Sequence, residues 1–148
     1  MTLRAIIPTE SGLIIEAEGQ TGGRCPRCER ASAARHSRYW RTLNDLTAHG
    51  QSVTLRVRVS RWRCRNPQCA TVIFGERLPA VAAPRRQHTH RLGVVVHLVG
   101  HALGGRAGER LLARLSMAVS ADTILRVVKR GAPPPDVDKT LRVVGIDG

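Results

Sequence analysis

The chain has 148 residues, 42% of them apolar, which fits one compact domain or two small ones and excludes a disordered chain. No apolar run reaches the roughly 20 residues of a membrane-spanning helix, and no secretory signal opens the chain. We therefore expect a cytoplasmic protein. The net charge is +13, concentrated in residues 24–78 and 79–131. This charge favours a nucleic-acid-binding protein over one with a merely solvated basic surface.

The first half of the chain has the pattern of a small β-rich unit. Short apolar stretches predict strands over residues 13–18, 36–46 and 53–64. Gly19 ends the first of them. We expect these strands to form a zinc ribbon, for which the cysteines supply the ligands.

The chain has four cysteines, Cys25, Cys28, Cys64 and Cys69, in two closely spaced pairs. Thiolates at such spacings can close around one tetrahedral zinc ion, and four protein ligands leave no open position for catalysis. A reducing compartment favours metal over disulfides. The sequence therefore predicts a structural zinc site, and free or disulfide-bonded cysteines are the alternative.

The third predicted strand carries four arginines, Arg56, Arg58, Arg61 and Arg63. Its apolar residues occupy alternate positions, but the alternation reverses near Ser60. A β-bulge at that point would place all four arginines on one face. Because arginine pairs bidentately with phosphate, we expect this face to contact DNA.

The second half of the chain is helical in pattern. After a linker, helices are expected over residues 90–103, 107–115 and 121–130. Ser120 is a good N-cap for the last helix, and Gly131 ends it. The last two helices have a helix-turn-helix pattern, and the alternative is an ordinary helical hairpin with charged outer faces.

In a helix-turn-helix, the second helix enters the major groove with its N-terminal residues near the base edges. The candidate base-reading residues are Ala121, Asp122, Thr123 and Arg126. The candidate phosphate-binding residues are Arg106, Arg110, Arg114, Lys129 and Arg130. His97 and His101 lie one helical turn apart, but no third ligand is evident, so we favour an ordinary helix face over a second metal site.

These patterns predict an α+β fold, with a small zinc ribbon followed by a helix-turn-helix domain. We expect the domains to span residues 1–79 and 80–131. Residues 132–148 would form a linker and an orphan C-terminal strand over residues 141–146. A lone Asp147 follows that strand, and no set of carboxylates for two-metal chemistry is apparent.

The residues now in view resemble the N-terminal part of bacterial insertion-sequence transposases of the ISL-three group. The resemblance rests on the segments CPRC at 25–28, HSRYWRTLNDL at 36–46, RWRCRNPQC at 61–69, FGERLP at 74–79, GGRAG at 104–108 and VSADTILR at 119–126. It implies a zinc-binding domain and a helix-turn-helix that together bind the terminal inverted repeats in double-stranded DNA. A homodimer or the full-length transposase would be the protein partner, associated with the nucleoid.

The resemblance also implies a following ribonuclease-H-like catalytic domain with a DDE triad. Residues 143–147 look like its first strand, and Asp147 aligns with the first catalytic aspartate. The other two acids do not follow, so we expect this chain to be inactive on its own and to need Mg²⁺ only within a full catalytic domain. Two alternatives remain, a stand-alone zinc-dependent regulator and a transposase completed by a partner chain or by readthrough.

Overall fold

A computed structural model describes residues 1–131. The predicted strand over residues 141–146 and Asp147 lie outside the described residues. The part of the chain that is described contains seven strands and two helices, so the α+β prediction is confirmed. The division into domains at residue 79 stays a prediction.

The main sheet has the strand order β1-β2-β6-β5. Its strands are β1 Thr2–Thr9, β2 Gly12–Glu18, β5 Arg35–Ala48 and β6 Gln51–Arg63, and β7 Ile73–Gly75 pairs with the end of β6. Strand β2 runs parallel to β6, and the other pairs are antiparallel. A separate two-stranded ribbon consists of β3 Gly23–Arg24 and β4 Ala31–Ser32. The chain thus passes through the first cysteine turn and β5 between the two parallel strands.

Strand β1 was not predicted from the sequence. It forms one edge of the sheet and is exposed along nearly its whole length, so no apolar alternation marks it. Pro8 lies near its end, a position tolerated on an edge strand because one side of the backbone needs no ladder hydrogen bond. Cross-strand pairing with β2 decides this element.

The prediction of a bulge near Ser60 is wrong. Strand β6 pairs regularly through that point, and the extra residue is His36 on β5, between the pairs Arg35–Trp62 and Ser37–Arg61. The buried positions along β6 change from odd-numbered to even-numbered residues because its two faces are covered at different places. The strand itself contains no bulge.

Two clusters cover those opposite faces of β6. The odd-numbered residues Leu55, Val57 and Val59 pack with Leu43, Leu78 and Ala82. Trp62, on the other face, packs with Phe74 and the cysteines. Alternation therefore continues through the strand, and the position of the covering chain decides which side is buried.

Buried Glu76 fixes β7 beside β6. Its carboxylate accepts hydrogen bonds from the backbone N–H of Gln20 at 2.5 Å and of Ser60 at 3.0 Å. A Cβ on Gly19 would lie 2.2 Å from that carboxylate, so glycine is needed for this close approach. The interaction joins the end of β2 to β7.

The helices are α1 His90–Arg114 and α2 Ala121–Gly131. Gly104 interrupts α1 with a φ of 69°, which separates a first part, residues 90–103, from a second, residues 105–114. Glycine suits this left-handed conformation because it has no Cβ. The Ser120 hydroxyl accepts a hydrogen bond from the Thr123 N–H at 3.4 Å, which confirms the predicted N-cap. No helix among residues 1–131 has the length and hydropathy to cross a membrane.

The helical core joins both parts of α1 to α2. Leu92, Val96, Leu112, Ile124 and Val127 are buried in it. Of the leucines near the end of α1, Leu112 is buried in this core, whereas Leu111 and Leu115 are exposed.

A buried carboxylate links the sheet to the start of α1. Asp45 of β5 accepts hydrogen bonds from the Thr89 hydroxyl at 2.7 Å and from the Arg91 guanidinium, whose Nε lies at 2.7 Å. Thr89 is also the N-cap of α1 and accepts from the Leu92 N–H. Burial raises the pKa of Asp45, but hydrogen bonds from Arg91, Thr89 and the Leu46 N–H outweigh it and hold that pKa below its ordinary value.

Candidate metal centre and nucleic-acid interface

Two backbone turns present the four cysteines. In the first, the Glu29 N–H donates to the Cys25 carbonyl at 2.9 Å, and Glu29 has a left-handed φ of 58°. In the second, the Cys69 N–H donates to the Asn66 carbonyl at 3.1 Å, and the Asn66 side chain accepts from the Gln68 N–H. Both turns close on themselves and point their sulfurs toward one another.

The four sulfurs form a compact cluster. All lie within 4.8 Å of one another, with 3.9 Å between Cys25 and Cys69 and 3.6 Å between Cys28 and Cys64. A tetrahedral zinc ion with Zn–S bonds of about 2.3 Å would separate its sulfurs by about 3.8 Å. The donor set therefore fits a structural zinc ion, as the spacing predicts.

Without a bound metal ion, the thiols of Cys25 and Cys64 would have very different pKa values. The backbone N–H of Cys28 lowers the pKa of the Cys25 thiol to about 6 against the effect of burial, and the N–H of Arg27 adds to this lowering. The Asn66 N–H lowers the pKa of Cys64, but burial and the neighbouring sulfurs raise it to about 12. The neighbouring sulfurs therefore oppose ionisation of Cys64 in the absence of metal, and a zinc ion would supply the positive charge that stabilises its thiolate.

The cysteines share a small apolar core with Trp62 and Phe74. Trp62 is fully buried, and its Nε1 has no hydrogen-bond partner within residues 1–131. A Cβ on Gly23 would lie 2.7 Å from the indole ring and 3.0 Å from Phe74. The backbone of β3 can therefore approach this core only because residue 23 is glycine.

Gly23→Ala should destabilise the chain by about 1–3 kcal/mol, because the added methyl forces the indole or β3 to move. Thermal unfolding of the zinc-loaded chain measures this effect. Gly22→Ala is the steric control, because its Cβ would approach nothing closer than 3.5 Å. Gly50→Ala is not suitable as a control, because Gly50 has a φ of 75°. Equal melting temperatures for Gly23→Ala and wild type would contradict the packing argument.

The candidate DNA-binding arginines of β6 do not share one face. Arg56 and Arg58 project on the side opposite the sheet core, whereas Arg61 and Arg63 project on the other. The single row expected from the sequence is therefore wrong, because it depended on the bulge near Ser60. Arg56 also forms an ion pair with Glu16 at 3.1 Å, while Arg58, Arg61 and Arg63 are exposed and have no acidic partner within residues 1–131.

Two exposed aromatic side chains accompany these arginines, and the sequence reasoning did not include them as site residues. The guanidinium of Arg61 lies 5.0 Å from the ring centre of Tyr39, and that of Arg56 lies 5.0 Å from Trp40. Neighbouring residues of a strand point to opposite faces, so each face of β5 displays one such pair. The signal in the sequence was aromatic residues set among arginines.

Most of the helical candidates are exposed on α1 and α2, whereas Ala121 and Thr123 are half-buried. Asp122 and Arg126 form an ion pair along α2, so the carboxylate already occupies the guanidinium. The Thr123 hydroxyl contacts Ser120, and Ala121 faces Gly105 of α1. The other candidates on these helices are exposed, namely Arg106, Arg110, Arg114, Lys129 and Arg130.

Most of the basic side chains have no acidic neighbour. Residues 1–131 contain 22 arginines and lysines against eight acids. Only five of these cations form ion pairs within the described part of the chain, namely Arg4, Arg38, Arg56, Arg91 and Arg126. The surface therefore carries a large uncompensated positive charge suited to a polyanion. His97 and His101 pack edge to face at 4.5 Å, and no third possible ligand joins them within residues 1–131.

Comparison with known families bears on the cysteine segment. Residues 21–69 match the model of a transposase zinc finger. That family is described as the zinc finger of the transposases IS204, IS1001, IS1096 and IS1165. The match includes both cysteine pairs, β5 and β6, and it supports the resemblance to the N-terminal part of ISL-three-type transposases. Searches of curated proteins and of solved structures gave no significant match.

Proposed function

We propose that this chain binds double-stranded DNA specifically, at the terminal inverted repeats of an insertion sequence, as the end-binding part of a transposase. The observation that carries the proposal is the match of residues 21–69 to a transposase zinc finger. A transposase-related role favours DNA as the partner. The uncompensated arginines of the same segment favour it independently.

The zinc ion would act by holding structure. Four cysteines around it leave no position for water or substrate, so its role is to fix the two turns and the end of β6. Exposed Arg61 and Arg63, on one face of that strand, would then bind phosphates from a rigid support. Mg²⁺ has no part in this function.

Helix α2 would supply the sequence-specific contacts, as a helix-turn-helix with the second part of α1. The exposed Arg126 is its best base-reading residue. Its carboxylate partner Asp122 would orient the guanidinium before DNA arrives, which lowers the entropic cost of binding. Ala121 and Thr123 would line the same end of the helix.

The proposal is tested by Arg126→Ala and Arg61→Ala on a DNA site selected from a random pool. We expect Arg126→Ala to relax the sequence preference, at a cost of about 1–3 kcal/mol on the selected site, because a base contact is lost. Arg61→Ala should weaken binding to selected and random DNA about equally and lower the salt slope by about 1, because a phosphate contact is lost. Fluorescence anisotropy at several salt concentrations measures both.

Arg4→Ala is the matched control, since Arg4 lies on β1 at the other edge of the sheet and is paired with Glu18. It should change neither property. Equal losses on both DNAs for Arg126→Ala would show that α2 reads no sequence, and the absence of any preferred site would defeat the proposal itself.

A further inference from the structure

A groove of about 840 Å³ separates the free edge of β5 from the chain segment that leads to α1. Residues 39–42 of β5 form one wall, and residues 82–87 form the other. Farther along β5 the two segments join, because the Asn44 N–H donates to the Gln87 carbonyl and the Thr89 N–H donates to the Asn44 carbonyl. It thus runs alongside the sheet edge and ends near the helices.

The lining of the groove is strongly basic. Arg41, Arg77, Arg85 and Arg86 line it, and its one acid, Glu76, is buried against backbone N–H groups. Arg41 donates to the carbonyls of Ala83 at 2.5 Å and Arg86 at 3.1 Å, so it holds the far wall in place. The other three arginines have no ion-pair partner within residues 1–131.

The two ends of the groove reach the ribbon and the helical part of the chain. At one end Tyr39 lines it, and the Arg61 guanidinium lies over that ring. At the other end His90, the first residue of α1, lines it. The groove therefore leads from a cation already assigned to DNA binding to the start of the helices.

We propose that this groove binds the sugar-phosphate backbone of duplex DNA and forms a continuous track from Arg61 on the ribbon to the start of α1. The inference rests on the proposed function and adds Arg77, Arg85, Arg86 and Tyr39 to the interface. One strand of the duplex lies in the track, so ribbon and helix contact neighbouring parts of the same site. Tyr39 packs against a sugar while Arg61 above it binds a phosphate.

The test is the double variant Arg85→Ala/Arg86→Ala, compared with wild type on the selected duplex over a range of salt. Each phosphate contact contributes about 0.9 to the slope of log K against log salt, so we expect the slope to fall by about 2. The preference for the selected site over random DNA should stay unchanged, since no base contact is lost. Zinc content and melting temperature establish that the variant is folded.

Two further variants separate charge from packing. Arg85→Lys/Arg86→Lys should keep most of the slope, and a loss as large as that of the alanine variant would overturn the proposal. The single variant Arg85→Ala should lower the slope. Arg4→Ala, on the opposite edge of the sheet, should leave the slope as in wild type. An unchanged slope in the double alanine variant, with wild type still binding, would overturn the track and leave the proposed function standing. A slope change with duplex RNA but not duplex DNA would overturn the choice of ligand.

Discussion

Removal of zinc should unfold the ribbon half of the chain. Binding of a structural zinc ion by such cysteine sites contributes about 10–16 kcal/mol, which matches or exceeds the whole stability of a typical domain. The apolar core around Trp62 is small and consists partly of the cysteines themselves, so little else holds it together. We expect a strong chelator to expose Trp62 and to abolish DNA binding.

Tryptophan fluorescence measures this directly in a Trp40→Phe background. Trp40 is 44% exposed, whereas Trp62 is fully buried, so the remaining emission reports on the metal core alone. Chelation should shift it to longer wavelength, and added zinc should reverse the shift. Mg²⁺ should not, because thiolates are poor ligands for a hard cation.

Cys64→Ser should lose stoichiometric zinc and behave as the chelated protein does. Ser52→Ala is a control on β6, the strand that ends just before Cys64, and it lies outside the sulfur cluster. A purified chain that contains no zinc, with a blue-shifted Trp62 emission that chelators leave unchanged, would disprove the metal centre.

Asp45→Asn should destabilise the chain by about 2 kcal/mol and loosen the attachment of α1 to the sheet. The substitution leaves the Thr89 hydroxyl and the Arg91 guanidinium without their shared carboxylate, and a buried donor that loses its partner costs about 1–3 kcal/mol. Arg91 is 64% exposed, so water can compensate part of its loss. Chemical denaturation measures the change in the free energy of unfolding. Hydrogen exchange at the first turn of α1 shows whether the attachment of that helix is loosened.

Asp122→Asn is the matched control, because it makes the same change in an exposed i,i+4 ion pair with an arginine. Such surface pairs contribute less than about 1 kcal/mol, so this variant should stay near wild type. Equal effects of the two substitutions would contradict the structural role of Asp45.

The same carboxylate sets an acid limit on stability. The pKa of Asp45 is lower in the folded chain than in the unfolded one, so its contribution is fully present above the unfolded pKa, near 3.8, and is lost as the pH falls through the folded value. The difference in stability between wild type and Asp45→Asn should therefore shrink below about pH 4. A constant difference down to pH 2 would exclude this linkage.

Local patterns sufficed for the features that depend on near neighbours in the chain. The two short cysteine spacings predict turns, and turns that present paired thiols predict zinc. The cap at Ser120 and the break at Gly104 likewise follow from the residues at those positions. In each case the energy that decides the structure lies within a few residues.

Features that depend on strand register, or on which chain segment covers a face of the sheet, were missed or misplaced. The alternation along β6 could not reveal which chain segment covers each face, so a slip near Ser60 was expected where none exists. The link from Asp45 to Thr89 and Arg91 spans more than 40 residues and has no local signal. The groove beside β5 exists only because residues 82–87 return to that edge.

The sequence by itself determined the two cysteine pairs, the helices and the amount of positive charge, because these follow from residue type and short spacing. Only the tertiary structure decided where the charge lies. Side chains of one strand alternate between faces, and the packing of Leu78 and Ala82 fixes which face is covered. Hence Arg56 and Arg61 lie on opposite faces of the sheet although one strand carries both.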